Sequence, residues 1–173
     1  VKVQLEKFEC RNHWSKLLNI NCYLNTTAES EDGISVEFNT TEDLTTLHGM
    51  LYIDFFHNNH WVNYYKNDID YCEILEMIQK DFVTRFLGEQ LRRLGNLPFK
   101  CPFKKVSIGL ASNFNTLVFI TFQNRKYYVH DFAVAKKILP SYMPQLTFRS
   151  QSVYIFNQRK LSTFKLEGLI KRS

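Results

Sequence analysis

Residues 70–102 read DYCEILEMIQKDFVTRFLGEQLRRLGNLPFKCP, and within them the hydrophobic period of the chain changes. Leu75, Ile78, Phe82, Phe86, Leu91 and Leu94 follow three- and four-residue steps, while Glu73, Glu76, Lys80, Arg85, Glu89, Arg92 and Arg93 fill the other face. That spacing predicts one long amphipathic helix over about 73–94, stopped at Gly95 and followed by Pro98. Gly88, inside it, marks a kink or a site of close packing. Cys72 and Cys101 bracket the segment, as in a chain that pins a helix to a β-sheet outside the reducing cytosol.

On either side the period is two. Val1, Val3 and Leu5 alternate with Lys2, Gln4 and Glu6, which gives one buried face. Leu18, Ile20 and Cys22 repeat the pattern, as do Ile34, Val36 and Phe38 after the Glu31-Asp32-Gly33 turn. Residues 50–56 and 62–69 read as a hairpin through His57-Asn58-Asn59-His60. Later, Tyr127, Val129 and Asp131 alternate with Tyr128, His130 and Phe132, and 146–156 pairs with 161–170 across Asn157-Gln158-Arg159-Lys160. These spacings suit antiparallel sheets, so the expectation is a mainly β domain spanning residues 1–173, with about eight strands and one dominant helix.

The totals agree. At 173 residues, 45% hydrophobic and 23% charged, the chain has the composition of an ordinary globular domain. It holds 15 Phe and 9 Tyr, more aromatic surface than sheet patterning requires. A net charge of +5 from dispersed lysine and arginine pairs forms no stripe, and the signature of an RNA-binding sheet is missing, so nucleic acid is not expected as a partner. Four cysteines, Cys10, Cys22, Cys72 and Cys101, allow three connectivities and form no C-x-x-C unit. With the sequons Asn25-Thr26-Thr27 and Asn39-Thr40-Thr41, they point to a secreted, extracellular glycoprotein whose leader has been removed.

A catalytic centre is not legible. There is no G-x-S-x-G elbow and no Gly-rich phosphate loop. His57 and His60 form an H-x-x-H pair near Asp54, but they lie in a turn and lack a third ligand, so they read as solvated histidines. Asp68 and Asp70 share one face of a strand and read as flanking the helix start. No enzyme activity, cofactor or metal is expected. What remains is a set of large apolar side chains, of which Phe55, Trp61, Phe82, Phe86, Phe132, Phe148 and Tyr154 are the candidates for lining a ligand pocket between sheet and helix. A solid aromatic core is the competing reading. Each ligand methylene buried in such a pocket would contribute about 0.8 kcal/mol.

The order Phe8-Glu9-Cys10, Cys22-Tyr23-Leu24, Asp70-Tyr71-Cys72 with Leu75, Cys101-Pro102-Phe103 and Leu139-Pro140 resembles the insect secreted family of unknown-function domain 1091 (DUF1091), kin to the CheA and CheB chemosensory proteins. That family is similar to the ML lipid-recognition domains. The resemblance implies an immunoglobulin-like antiparallel β-sandwich opening onto a hydrophobic cavity, with a Cys72–Cys101 bridge and hence Cys10–Cys22. It also implies a non-enzymatic role: binding a lipid, sterol or pheromone in chemosensation, or acting as an extracellular accessory to a membrane receptor or channel, with a filled core. Unlike the sterol carriers of that group, the chain has no cysteine in its last strand and a much longer helix between Cys72 and Cys101.

Residues 106–124 form a charge-free run of 19. Its eight Ser, Asn, Thr and Gln residues argue against a transmembrane segment. Two readings stay open. One is an extra β-hairpin turning at Asn113-Phe114-Asn115. The other is a retained intron over 106–123, since Val106-Ser107 and Phe122-Gln123 are encodable by consensus splice borders.

Overall fold

The computed structural model describes residues 2–26, 32–80, 85–105, 107–108, 122–123, 126–133 and 144–171, without the side chains of 79, 85, 86, 107, 108, 122 and 123. It is mainly β. Strands β1 (Lys2–Asn12), β4 (His48–His57), β5 (His60–Asp70), β9 (Leu146–Phe156) and β10 (Arg159–Lys171) form a five-stranded antiparallel sheet in the order β1-β10-β9-β4-β5. A second antiparallel sheet runs β2-β3-β8 from Leu18–Asn25, Gly33–Thr40 and Tyr127–Phe132. The two-residue strands β6 (Ser107–Ile108) and β7 (Phe122–Gln123) pair with each other. Ser107 faces Gln123 there, so the chain leaves and re-enters at neighbouring positions; the Asn113–Asn115 turn lies outside the described residues.

Both long hairpins turn where the sequence suggested. Asn58 and Asn59 (φ 48° and 62°) link β4 to β5, and Asn157 and Gln158 (φ 48° and 60°) link β9 to β10. Paired positive φ values are those of the two-residue hairpin turn whose twist matches the strands. The first strand pairs with the last, Val3 opposite Ile170, which no local pattern announces.

One long helix over 73–94 is not what the chain forms. Tyr71–Lys80 is α1 and Arg85–Leu94 is α2, with 81–84 outside the described residues. In an unbroken helix, residues ten apart lie about 15 Å from each other. Here Ile78 Cγ2 is only 2.8 Å from where a Cβ on Gly88 would stand. The two helices therefore fold against each other, and Gly88 is the site of close packing. Asp70 starts α1 as its N-cap, accepting from the amides of Cys72 (2.9 Å) and Glu73 (3.1 Å).

Bulges keep the apolar face continuous where simple alternation would lose it. One extra residue in a strand reverses which face every later side chain takes. In β1 the register shifts between Leu5 and Lys7, so Val3 and Leu5 are buried before it and Phe8 and Cys10 turn inward after it. In β10 the shift between Lys160 and Ser162 buries the consecutive pair Leu161 and Ser162. In β8 Asp131 takes a left-handed conformation (φ 54°), its amide donating to Ser35 Oγ at 2.9 Å and its carboxylate accepting from Asn25 Nδ2. Alternation had placed Phe132 opposite Val129; the bulge brings both to the interior.

Both expected disulfides form. Cys10–Cys22 joins the edge strand β1 of one sheet to the edge strand β2 of the other. Cys72–Cys101 ties the first turn of α1 to the segment before Phe103, which is bridged to Leu44 by reciprocal backbone hydrogen bonds of 2.9 and 3.0 Å. After α2, Asn96 is stitched to β8 through Tyr128 and Lys126.

Candidate functional site

Leu17, Leu18, Leu44, Leu47, Phe103, Tyr127, Phe156 and Leu161 form a buried cluster, with Trp14, Tyr71, Cys72 and Cys101 packed against it. Beside this cluster the interior is hollow. A cavity of about 350 Å³ lies between the two sheets and the helices, at the small end of the range for ligand sites. Phe8 from β1, Ile20 from β2, Ile34, Val36 and Phe38 from β3, and Val129 and Phe132 from β8 line it, with Phe164 and Leu166 from β10. Tyr71, Ile74 and Leu75 of α1 and Leu91 of α2 complete its helical wall. Among the described residues of the lining there is no Lys, Arg, His, Asp or Glu.

Its polar groups are hydroxyls. Ser150, Ser152 and Tyr154 follow one another on the inner face of β9, and Ser162 stands beside Tyr154 on β10. Tyr71 stacks on Tyr154, ring centroids 4.3 Å apart and planes within 24°. Gly49 permits this close stacking, because a Cβ there would meet the Tyr71 ring at 2.9 Å and the Val153 carbonyl at 1.8 Å. Tyr71 Oη is buried and meets no hydrogen-bond partner at full geometry, with Ser152 and Tyr154 its nearest polar neighbours. Burial pushes both phenols above the usual tyrosine range, Tyr154 further because it is the more deeply buried and because Tyr71 lies against it. Both are therefore neutral hydroxyls at physiological pH.

Of the seven aromatic residues expected to line a pocket, Phe132 and Tyr154 do so. Phe55, Trp61 and Phe148 do not. They pack near the β4–β5 turn: Phe55 on Tyr64 (5.1 Å) and opposite Phe148, Trp61 between Phe56 (5.2 Å) and the Arg149 guanidinium (4.4 Å), Phe148 over Gly168. The physical reason is placement: along β9 the lining begins at Ser150, so side chains nearer that turn meet one another instead. Phe82 and the Phe86 side chain lie outside the described residues. The pattern reading missed the three serines and Tyr71. Tyr71 had a signal in the sequence, since it sits between the cap residue Asp70 and the bridged Cys72; the serines had none.

The remaining candidates lie elsewhere. His57 and His60 face each other at the exposed β4–β5 turn, where His60 Nδ1 bonds Asn58 O at 3.0 Å. No group of three His, Cys, Asp or Glu among the described residues is placed to hold a metal ion. The amide of Asn25 is engaged with Asp131 and Ser35, whereas Asn39 stands partly exposed opposite Asn19. No described helix is long and apolar enough to cross a membrane. No family model matches the chain, and no curated protein matches it.

Proposed function

We propose that the protein is a non-enzymatic, secreted binding protein for a small hydrophobic ligand, built like the ML domains and kin to the domain 1091 family, with a role in chemosensation. The observation that carries this is the apolar cavity between the sheets, free of charged groups among its described lining residues. The two disulfides support an extracellular location and brace the walls. Burial of a lipid tail against Phe8, Ile34, Phe132 and Phe164 needs no catalytic group. The test is saturable uptake of a fluorescent sterol or fatty-acyl probe by the purified protein. Replacing Ser152 by Leu narrows the cavity and weakens uptake while the protein stays folded. Failure across a broad panel of lipids overturns the carrier reading.

The second reading is an extracellular accessory to a receptor or channel. Strand β5 favours it, being a sheet edge on which Tyr64 is 74% and Val62 is 42% exposed. A protein that binds none of the panel yet associates with a membrane receptor would support it.

A further inference from the structure

The polar groups of the cavity bear on the class of ligand, an inference that rests on the carrier reading above. Strand β9 lies in the middle of the five-stranded sheet, where β-branched or aromatic residues pack best. Yet three successive inward positions on it are Ser150, Ser152 and Tyr154, and Ser162 pairs with Tyr154 from the neighbouring strand. Hydroxyls placed against an apolar space are costly unless something bonds to them. Tyr71, a residue of the same lining, has its Oη buried and without a hydrogen bond. Its ring is held by stacking on Tyr154 and by the close approach that Gly49 allows.

We infer that the cavity selects neutral oxygen-bearing lipids, those with a hydroxyl or carbonyl group, over free carboxylates, and that Tyr71 with Ser152 holds the oxygen. A hydroxyl offers one donor and two acceptor positions, and so matches a phenol that is itself donor and acceptor. A carboxylate brings a full charge. Among the described lining residues no cation meets it, so it enters only by binding a proton or by leaving its head at the surface. An alkyl chain needs only the apolar walls. The hydroxyl strip therefore adds selectivity by head group to an interior that would otherwise sort ligands by size.

Competition against pyrene, an apolar fluorophore, tests this on the whole protein. At about pH 8, where a fatty acid is ionised, decanol displaces pyrene at a concentration at least about tenfold lower than decanoate does. Tyr71→Phe weakens decanol by about three- to tenfold more than it weakens pyrene, the size of one hydrogen bond. Ser152→Ala, which keeps the cavity open, weakens decanol in the same direction. Decanoate binding as tightly as decanol at that pH overturns the inference and leaves the carrier reading standing. So does a Tyr71→Phe variant that loses pyrene as much as decanol, since Tyr71 would then only pack. A protein that takes up neither pyrene nor any competitor overturns both.

Discussion

Two parts of one apolar interior behave differently. Around Leu17 and Phe156 the side chains close on one another and keep 3% or less of their surface. Around Phe8, Ile34, Phe132 and Phe164 the same kinds of side chain stand back and leave about 350 Å³ open. Composition does not separate the two parts; bracing does. The closed part holds the Leu44–Phe103 bridge, and the Cys72–Cys101 disulfide packs against it. An open apolar space forfeits contacts and tends to collapse unless its walls are held apart. The closed part and the two disulfides hold them, and Leu44, Phe103 and Leu161 belong to both, so stability and binding draw on only partly overlapping residues.

That division can be broken in several ways. Leu17→Ala, in the closed part and away from the cavity lining, costs as much as about 2–5 kcal/mol in urea unfolding. Ile34→Ala, on the cavity wall, costs only about 1–2 kcal/mol because less of it is packed, yet lowers ligand affinity more. Equal losses of stability would erase the distinction. Replacing both Cys72 and Cys101 by Ser removes about 3–4 kcal/mol, expected for a loop of 29 residues, and weakens ligand binding by freeing α1. Thermal unfolding and probe uptake, measured on the same sample, check both effects. Gly49→Ala pushes a methyl group into the Val153 carbonyl and the Tyr71 ring, and lowers stability by about 1–3 kcal/mol. Its selective effect is on alcohol binding, through displacement of Tyr71.

The smallest effect is that of acid on the outer surface. Asp54 is held below the usual carboxylate range by Asn63 and then Arg149, Asp43 by the Lys105 amide and then the Lys104 ammonium, Glu37 by Lys126 and then His130. Folded values below the unfolded ones mean stabilisation that is complete above about pH 4–5. It is lost as the pH falls through the depressed values. These groups are partly exposed, so the urea midpoint drifts down modestly below about pH 4, while affinity for a neutral ligand changes little above that pH. A loss of ligand affinity that ran ahead of unfolding would place a titrating group at the cavity instead.

Much of the fold could be read along the chain because it is local. Alternation located the strands, Asn58-Asn59 and Asn157-Gln158 marked the turns, and Asp70 announced a helix start that its two amide bonds bear out. The inward turns that alternation alone does not give share a cause. Phe132 reaches the cavity only because Asp131 adds a residue to β8, and Phe8 only because β1 is bulged after Leu5. A bulge is set by what lies across the strand, here Ser35 and Asn25 against Asp131, and those partners are distant in sequence. The 73–94 periodicity likewise persists through two helices because both show an apolar face to the same interior. Residues 106–123 stay with two readings, and joining Lys105 directly to Asn124 tests them: a retained intron predicts unchanged stability and no peptide from that stretch in native tissue.

Residue order alone therefore decides strand and helix periods, turn chemistry and a β-rich class, because each depends on neighbours within a few positions. Packing in three dimensions decides that β1 closes on β10, that α2 folds against α1 with Gly88 in the contact, and that Tyr71 and three serines line one cavity. A cavity is a relation between surfaces far apart in the chain, and the spacing of those surfaces is set by whatever braces them.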